Sequence, residues 1–236
     1  MEISIKNISL VLEKTNILTN INMGLEKGNI YGLIGRNGSG KTMLMKCICG
    51  FVKPSNGEIR VRDQVVGKDI DFPSNMGIMI ENPGFIPYYS GMKNLKMLAD
   101  LNRKINCAQM EDAMRLVGLE PSLRLHVGKY SLGMRQRLGI AQAIMEEPDI
   151  LILDEPMNGL DKEGVVEMRK LFLNLKKKGT TMVIASHNTE DIAILCDRVY
   201  EMEHGVLVEC KWFYLGDGTM VTCKRGTDHF YTSPLT

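Results

Sequence analysis

The stretch GRNGSGKT, residues 35–42, constrains this 236-residue chain more than any other. It fits the pattern G-x-x-x-x-G-K-[ST] and lies between the apolar run IYGLIG and the helical run KTMLMKCICGF, the strand–loop–helix context that gives the pattern physical meaning. Glycines let successive backbone N–H groups turn inward around a phosphate, and the start of the following helix adds its positive end. Gly35, Asn37, Gly38, Ser39 and Gly40 are therefore the candidate cradle for a nucleotide. Lys41 is placed to reach the β- and γ-phosphates, and the Thr42 hydroxyl to ligate Mg²⁺.

The remaining patterns suit an α/β chain. DILILDEP (149–156) and TTMVIASH (180–187) are continuous apolar runs suited to strands buried on both faces, separated by the helical run KEGVVEMRKLFLNLKKKG. Residues 1–30 alternate through Ile3, Ile5, Ile8, Leu10 and Leu12, which predicts short strands joined by polar turns. PSNGEIRV predicts a turn at Asn56 and Gly57 before another strand. From about 86 to 145 the pattern is helical. The sum is a parallel α/β core, an antiparallel β part at the front and a helical insertion in the middle. Trp212, Phe213, Tyr214, Phe230 and Tyr231 around GDG predict a terminal hairpin packed on the same domain.

Composition narrows the partners. A net charge of +1 with 24% charged residues gives no global field favouring nucleic acid, and none is expected as a partner. No apolar run reaches the roughly eighteen residues of a membrane span, and the N-terminus alternates like a strand, so a soluble, cytoplasmic chain is expected. The six cysteines lack CxxC pairs and read as reduced thiols. The three lysines before Gly179 read as a cationic last helical turn ending at a glycine cap rather than as a phosphate patch.

Three further residues belong with the phosphate loop. Asp154 ends a buried strand, where a carboxylate is costly unless it faces a cation, and a Mg²⁺ shell beyond Thr42 supplies one. Glu155 is placed to polarise a water in line with the γ-phosphate. His187, at the C-terminal edge of a parallel strand where ligands gather, can orient that water or bind the γ-phosphate.

In their order, GRNGSGKT, YSLGMRQR, DILILDEP, NGLD and ASH resemble the ATP-binding subunit of an ABC transporter, over nearly the whole chain to about residue 209. The resemblance implies a P-loop NTPase (RecA-like) core with an antiparallel β-subdomain and an inserted α-helical subdomain, the cassette spanning 1–209 and a C-terminal tail 210–236. It implies ATP and Mg²⁺ as cofactors. It also implies two copies, identical or different, that sandwich two ATP molecules and drive transmembrane permease subunits from the inner face of the membrane. Ser131 and Gly133 then bind the γ-phosphate held by the opposite subunit, a role consistent with an anion site at a helix start. Asp161, closing NGLD, lies in the loop that crosses the same interface, while Arg135 and Arg137 fall within the helix and read as structural.

The chain departs from the family pattern in three places. Leu-Ser-Gly-Gly-Gln is replaced by Tyr130, Ser131, Leu132, Gly133 and Met134, losing the first glycine and the glutamine. Glu81 stands where the family has a Mg²⁺-ligating glutamine; a carboxylate also ligates Mg²⁺. With YSLGMRQRL, it resembles exporters of peptide antibiotics such as lantibiotics and bacitracin. Counting back from Leu18, the usual adenine-stacking aromatic falls on Leu12, so GTP is expected to compete with ATP. The permease contact is expected near residues 81–98. Soluble ABC-type ATPases of translation or DNA repair are the alternative, but they usually pair two cassettes in one chain or add coiled coils and basic arms. A P-loop kinase or GTPase leaves YSLGMRQR unexplained.

Overall fold

The computed structural model describes residues 1–81, 83–102, 104–214, 220–224 and 230–233. In chain order it contains β1 (Ile3–Leu12), β2 (Thr15–Leu25), β3 (Ile30–Ile34), α1 (Lys41–Ile48), β4 (Asn56–Val61), β5 (Gln64–Val65) and β6 (Met76–Met79). There follow α2 (Gly91–Asn102), α3 (Cys107–Leu116), a 3-10 turn (Val127–Lys129), α4 (Leu132–Ile144), β7 (Ile150–Asp154) and α5 (Lys162–Lys177). The chain closes with β8 (Thr181–Ala185), α6 (Thr189–Leu195), β9 (Arg198–Glu203), β10 (Val206–Tyr214), β11 (Met220–Lys224) and β12 (Phe230–Ser233). Two compact units result, Met1–Ser74 with Thr181–Thr236, and Asn75–Thr180.

The first unit holds an antiparallel sheet in the order β2-β1-β4-β5. The spacing Ile3, Ile5, Ile8, Leu10 breaks strict alternation once, and the structure answers with a register shift between Ile5 and Ile8 where Asn7 takes φ 52°. With a further shift between Ile8 and Leu10, all four side chains stay at 2% exposure or less. Leu12 does not continue the pattern. It sits at the mouth of a tight turn with Glu13 and Lys14 both at positive φ, and is 42% exposed.

The turn expected at Asn56 and Gly57 is corrected: both lie inside β4. Gly57 is needed there because a Cβ would meet the Asn7 carbonyl oxygen at 2.4 Å, and its φ is +86°. Gly57→Ala should accordingly cost at least about 1–3 kcal/mol. At about 2–4 °C per kcal/mol for a chain of this size, the loss is readable in a thermal melt, and an unchanged midpoint would refute it.

In the same unit β3 runs parallel to β8 and to β9, and β9 through β12 follow as antiparallel neighbours. All five residues of β8 and the first four of β3 are buried, the pattern of parallel strands covered on both faces. Residues 215–219, which include the GDG assigned to the terminal hairpin, lie outside the described residues. Cys47 and Cys49 are buried at the end of α1, and burial pushes their thiols up to about 11 and about 12, which leaves them protonated and inert at neutral pH.

In the second unit β6 and β7 pair in parallel, Met76 opposite Ile150 through Met79 opposite Leu153. The helical part begins at Gly91 rather than 86, because residues 86–89 form a turn closed by Tyr89 N–H donating to the Ile86 carbonyl at 3.2 Å, and Ser90 then bridges to His126. Each of α3, α4 and α5 starts at a side-chain cap: Asn106 in a reciprocal pair with Gln109, then Ser131, then Asp161. The lysine run ends α5, where Gly179 takes φ +96° and its N–H donates to the Lys176 carbonyl at 2.8 Å. Among the described residues no helix is long and apolar enough to cross a membrane.

Candidate nucleotide site

The first unit carries the phosphate loop. β3 ends at Ile34 and α1 begins at Lys41, with Gly35 at φ +145°, Gly38 at +77° and Gly40 at +112° between them. A Cβ on Gly35 would lie 2.3 Å from the Met202 carbonyl oxygen, so conformation and space both demand glycine. Lys41 is 7% exposed, and its ammonium donates to the Gly35 carbonyl at 2.6 Å and the Arg36 carbonyl at 3.2 Å. Ser39 Oγ is buried without a hydrogen-bond partner. A buried hydroxyl seeking a partner, beside a buried ammonium and a helix start, suits an oxyanion and fits a nucleotide phosphate.

His187 stands two residues beyond β8, exposed, at the corner leading into α6. The corner is held by Asn188, whose N–H donates to Ser186 Oγ at 3.1 Å and whose Oδ1 caps Glu190 and Asp191. Tyr31 is fully buried and its hydroxyl accepts from Glu26 N–H at 2.6 Å, so it belongs to the core and not to base recognition. Leu12 and the neighbouring Val11 are the exposed apolar side chains at the β1 turn.

The second unit carries the acidic strand end. Residues 150–153 of β7 are fully buried, and Asp154 closes the strand partly exposed. Glu155 then takes φ 49°, and Glu81, two residues past β6, takes φ 60°. Left-handed backbone at a non-glycine residue is uncommon, and eight other described residues of this chain adopt it as well. The Glu155 carbonyl accepts from Asn158 N–H at 3.1 Å and from Gln136 Nε2 at 2.8 Å.

Ser131 is exposed, and its Oγ accepts the Met134 N–H at 3.1 Å as the cap of α4. Gly133 lies so close to the next loop that a Cβ would sit 2.9 Å from the Gly159 carbonyl oxygen. Leu132, in place of the family glycine, lies over Gly159 and remains 52% exposed. Asp161 caps α5 by accepting Gly164 N–H at 2.8 Å. Arg137 donates to the Val117 carbonyl at 2.6 Å and pairs with Glu167 at 2.8 Å, which makes it structural.

Gln136 escaped the motif reading. Its one sign in the sequence is a polar residue on the helical stripe it shares with the buried Gly139, Ile140 and Ala143.

A glycine loop between a parallel strand and a helix, with a buried lysine at the helix start, has the form of a nucleotide-phosphate loop. The chain belongs to the ABC transporter family: it matches the family model described as ABC transporter over residues 18–158. It is 45% identical over 205 residues to the uncharacterized ABC transporter ATP-binding protein YybJ of Bacillus subtilis, covering 87% of this chain and 94% of that protein. It is 41% identical to the bacitracin transport ATP-binding protein BcrA of Enterococcus faecalis, covering 88% and 68%. The lantibiotic transport ATP-binding protein SrtF of Streptococcus pyogenes is 33% identical, with 87% and 89% covered. In fold it matches the dimeric ATP-binding cassette MJ0796 in a post-hydrolysis state bound to ADP and Pi, with a TM-score of 0.79 at 19% identity over 87% of this chain and 96% of that one. The chain is thus an ATP-binding subunit of an ABC transporter and an ATPase.

Proposed function

We propose that this subunit powers export of, or immunity to, a peptide antibiotic, acting as an ATP-sandwich dimer beneath membrane permease subunits. The relatives named for bacitracin and lantibiotic transport support the substrate class. Within the dimer, the 35–42 loop with Lys41 holds the β- and γ-phosphates, and Thr42, Asp154 and Glu81 hold Mg²⁺, which neutralises phosphate charge when bound. Glu155 polarises the attacking water, and His187 orients it or contacts the γ-phosphate. The cassette spans 1–209 with its helical insertion from Gly91 to about 145, and the C-terminal tail is 210–236. The permease docks along 81–98, where Tyr88 is 65% exposed and Lys93 stacks over the Tyr89 ring at 3.6 Å; Asn82 lies outside the described residues.

The observation that carries the dimer is the start of α4. Ser131 offers an exposed hydroxyl at a capped helix N-terminus, an arrangement that attracts an anion. Ser131 and Gly133 are assigned to the γ-phosphate bound by the other subunit. Light scattering of Glu155→Gln with Mg²⁺ and ATP should show a dimer that the nucleotide-free protein lacks. Adding Ser131→Trp should return it to monomer. A dimer indifferent to Ser131→Trp would sink the assignment of this helix start.

A further inference from the structure

Gln136 is 7% exposed, and its side-chain amide reaches out of α4 to the Glu155 carbonyl at 2.8 Å. Buried amides are kept where they are hydrogen-bonded, and this carbonyl takes a second donor, Asn158 N–H at 3.1 Å. Two donors on one carbonyl fix the orientation of its peptide plane. That plane belongs to a residue in the left-handed region, φ 49°, so the direction of the Glu155 side chain depends on the peptide being held. The same helix grips the following loop through Leu132 over Gly159 and through the close approach of Gly133 to the Gly159 carbonyl. The first two turns of α4 therefore hold residues 155–159 at three points.

We propose that Gln136 is a positioning residue for hydrolysis: its amide aims the Glu155 carboxylate and ties that aim to the helix start at Ser131 and Gly133. The proposal rests on the reading of Glu155 as the group that polarises water. Leucine at position 132 strengthens the tie, because an aliphatic side chain spans a contact that a glycine there leaves open.

The test uses the full-length chain. In Gln136→Met, of similar volume but without a donor, hydrogen exchange at the Asn158 amide should quicken about tenfold, with peptides of β3 and α1 unchanged. Its kcat should fall about tenfold or more while the KM for ATP stays within about twofold. Gln136→Glu should be at least as slow as Gln136→Met at neutral pH, where its carboxylate repels the carbonyl, and should recover relative to the unaltered chain at the same pH as pH falls toward about 5, since a protonated carboxyl donates to the same carbonyl. In a Glu155→Gln background, Gln136→Met should add nothing, as expected for a residue acting through Glu155. Unchanged exchange and kcat in Gln136→Met, or a Gln136→Glu variant that does not recover relative to the unaltered chain at low pH, overturns the proposal. Full hydrolysis by Glu155→Gln alone instead removes the reading of Glu155, and the exchange measurement still decides whether Gln136 holds the loop.

Discussion

Replacing Glu155 with glutamine is expected to slow ATP hydrolysis by about 10²–10⁴-fold, the range typical of a removed general base. ATP binding should survive. The substitution keeps side-chain length and shape but removes the capacity to take a proton from water. It leaves the backbone anchors of Glu155, the bonds from Asn158 N–H and Gln136 Nε2, in place. Folding should therefore be little affected, and the thermal midpoint serves as the control. Phosphate release under saturating Mg²⁺-ATP, set beside a nucleotide-binding titration on the same preparation, separates the two quantities. Hydrolysis within threefold of the unaltered chain would mean that another group activates the water.

Lys41→Ala should act on the other quantity. Lys41 is 7% exposed and the acceptors of its ammonium, Gly35 O and Arg36 O, are neutral carbonyls, so its charge is available to a bound anion. Truncating one member of a buried, hydrogen-bonded charge pair costs about 2–5 kcal/mol, roughly a 30- to several-thousand-fold loss of ATP affinity. The same ammonium ties two loop carbonyls together, so the loop loses order as well as charge. Displacement of a fluorescent nucleotide at fixed ionic strength measures the loss. An affinity within a factor of three would show that backbone N–H groups alone hold the phosphates.

Much of the fold was legible because the motifs carry their own geometry. A glycine loop between an apolar strand and a helix leaves few ways to fold, and the unbroken apolar runs at 150–153 and 181–185 can only be covered strands. Even the bulge at Asn7 was foreshadowed by the three-residue step from Ile5 to Ile8. Other features depend on partners distant in sequence. Asn56-Gly57 has the composition of a turn, yet Gly57 is dictated by a backbone fifty residues earlier. Gln136 reads as an ordinary helix residue until the Glu155 carbonyl is placed beside it. The start of the helical part was misjudged for a local reason. Residues 86–90 contain Pro87 and two tyrosines that pack edge to face at 5.0 Å, and Tyr89 N–H closes a turn onto the Ile86 carbonyl at 3.2 Å before the helix starts.

The cap at Ser131 narrows what evolution can place there. Its oxygen is committed to the Met134 N–H, so the hydroxyl hydrogen is the part left to point outward. Asparagine or aspartate would cap the helix equally well. Aspartate would set a negative charge against an incoming phosphate, however, and asparagine would carry its N–H₂ on a longer, differently angled arm. Glycine would spare the helix but offer no donor. If Ser131 meets a phosphate as proposed, serine, with threonine as its closest substitute, serves helix initiation and anion recognition with a single atom pair, so a substitution that harms one harms the other.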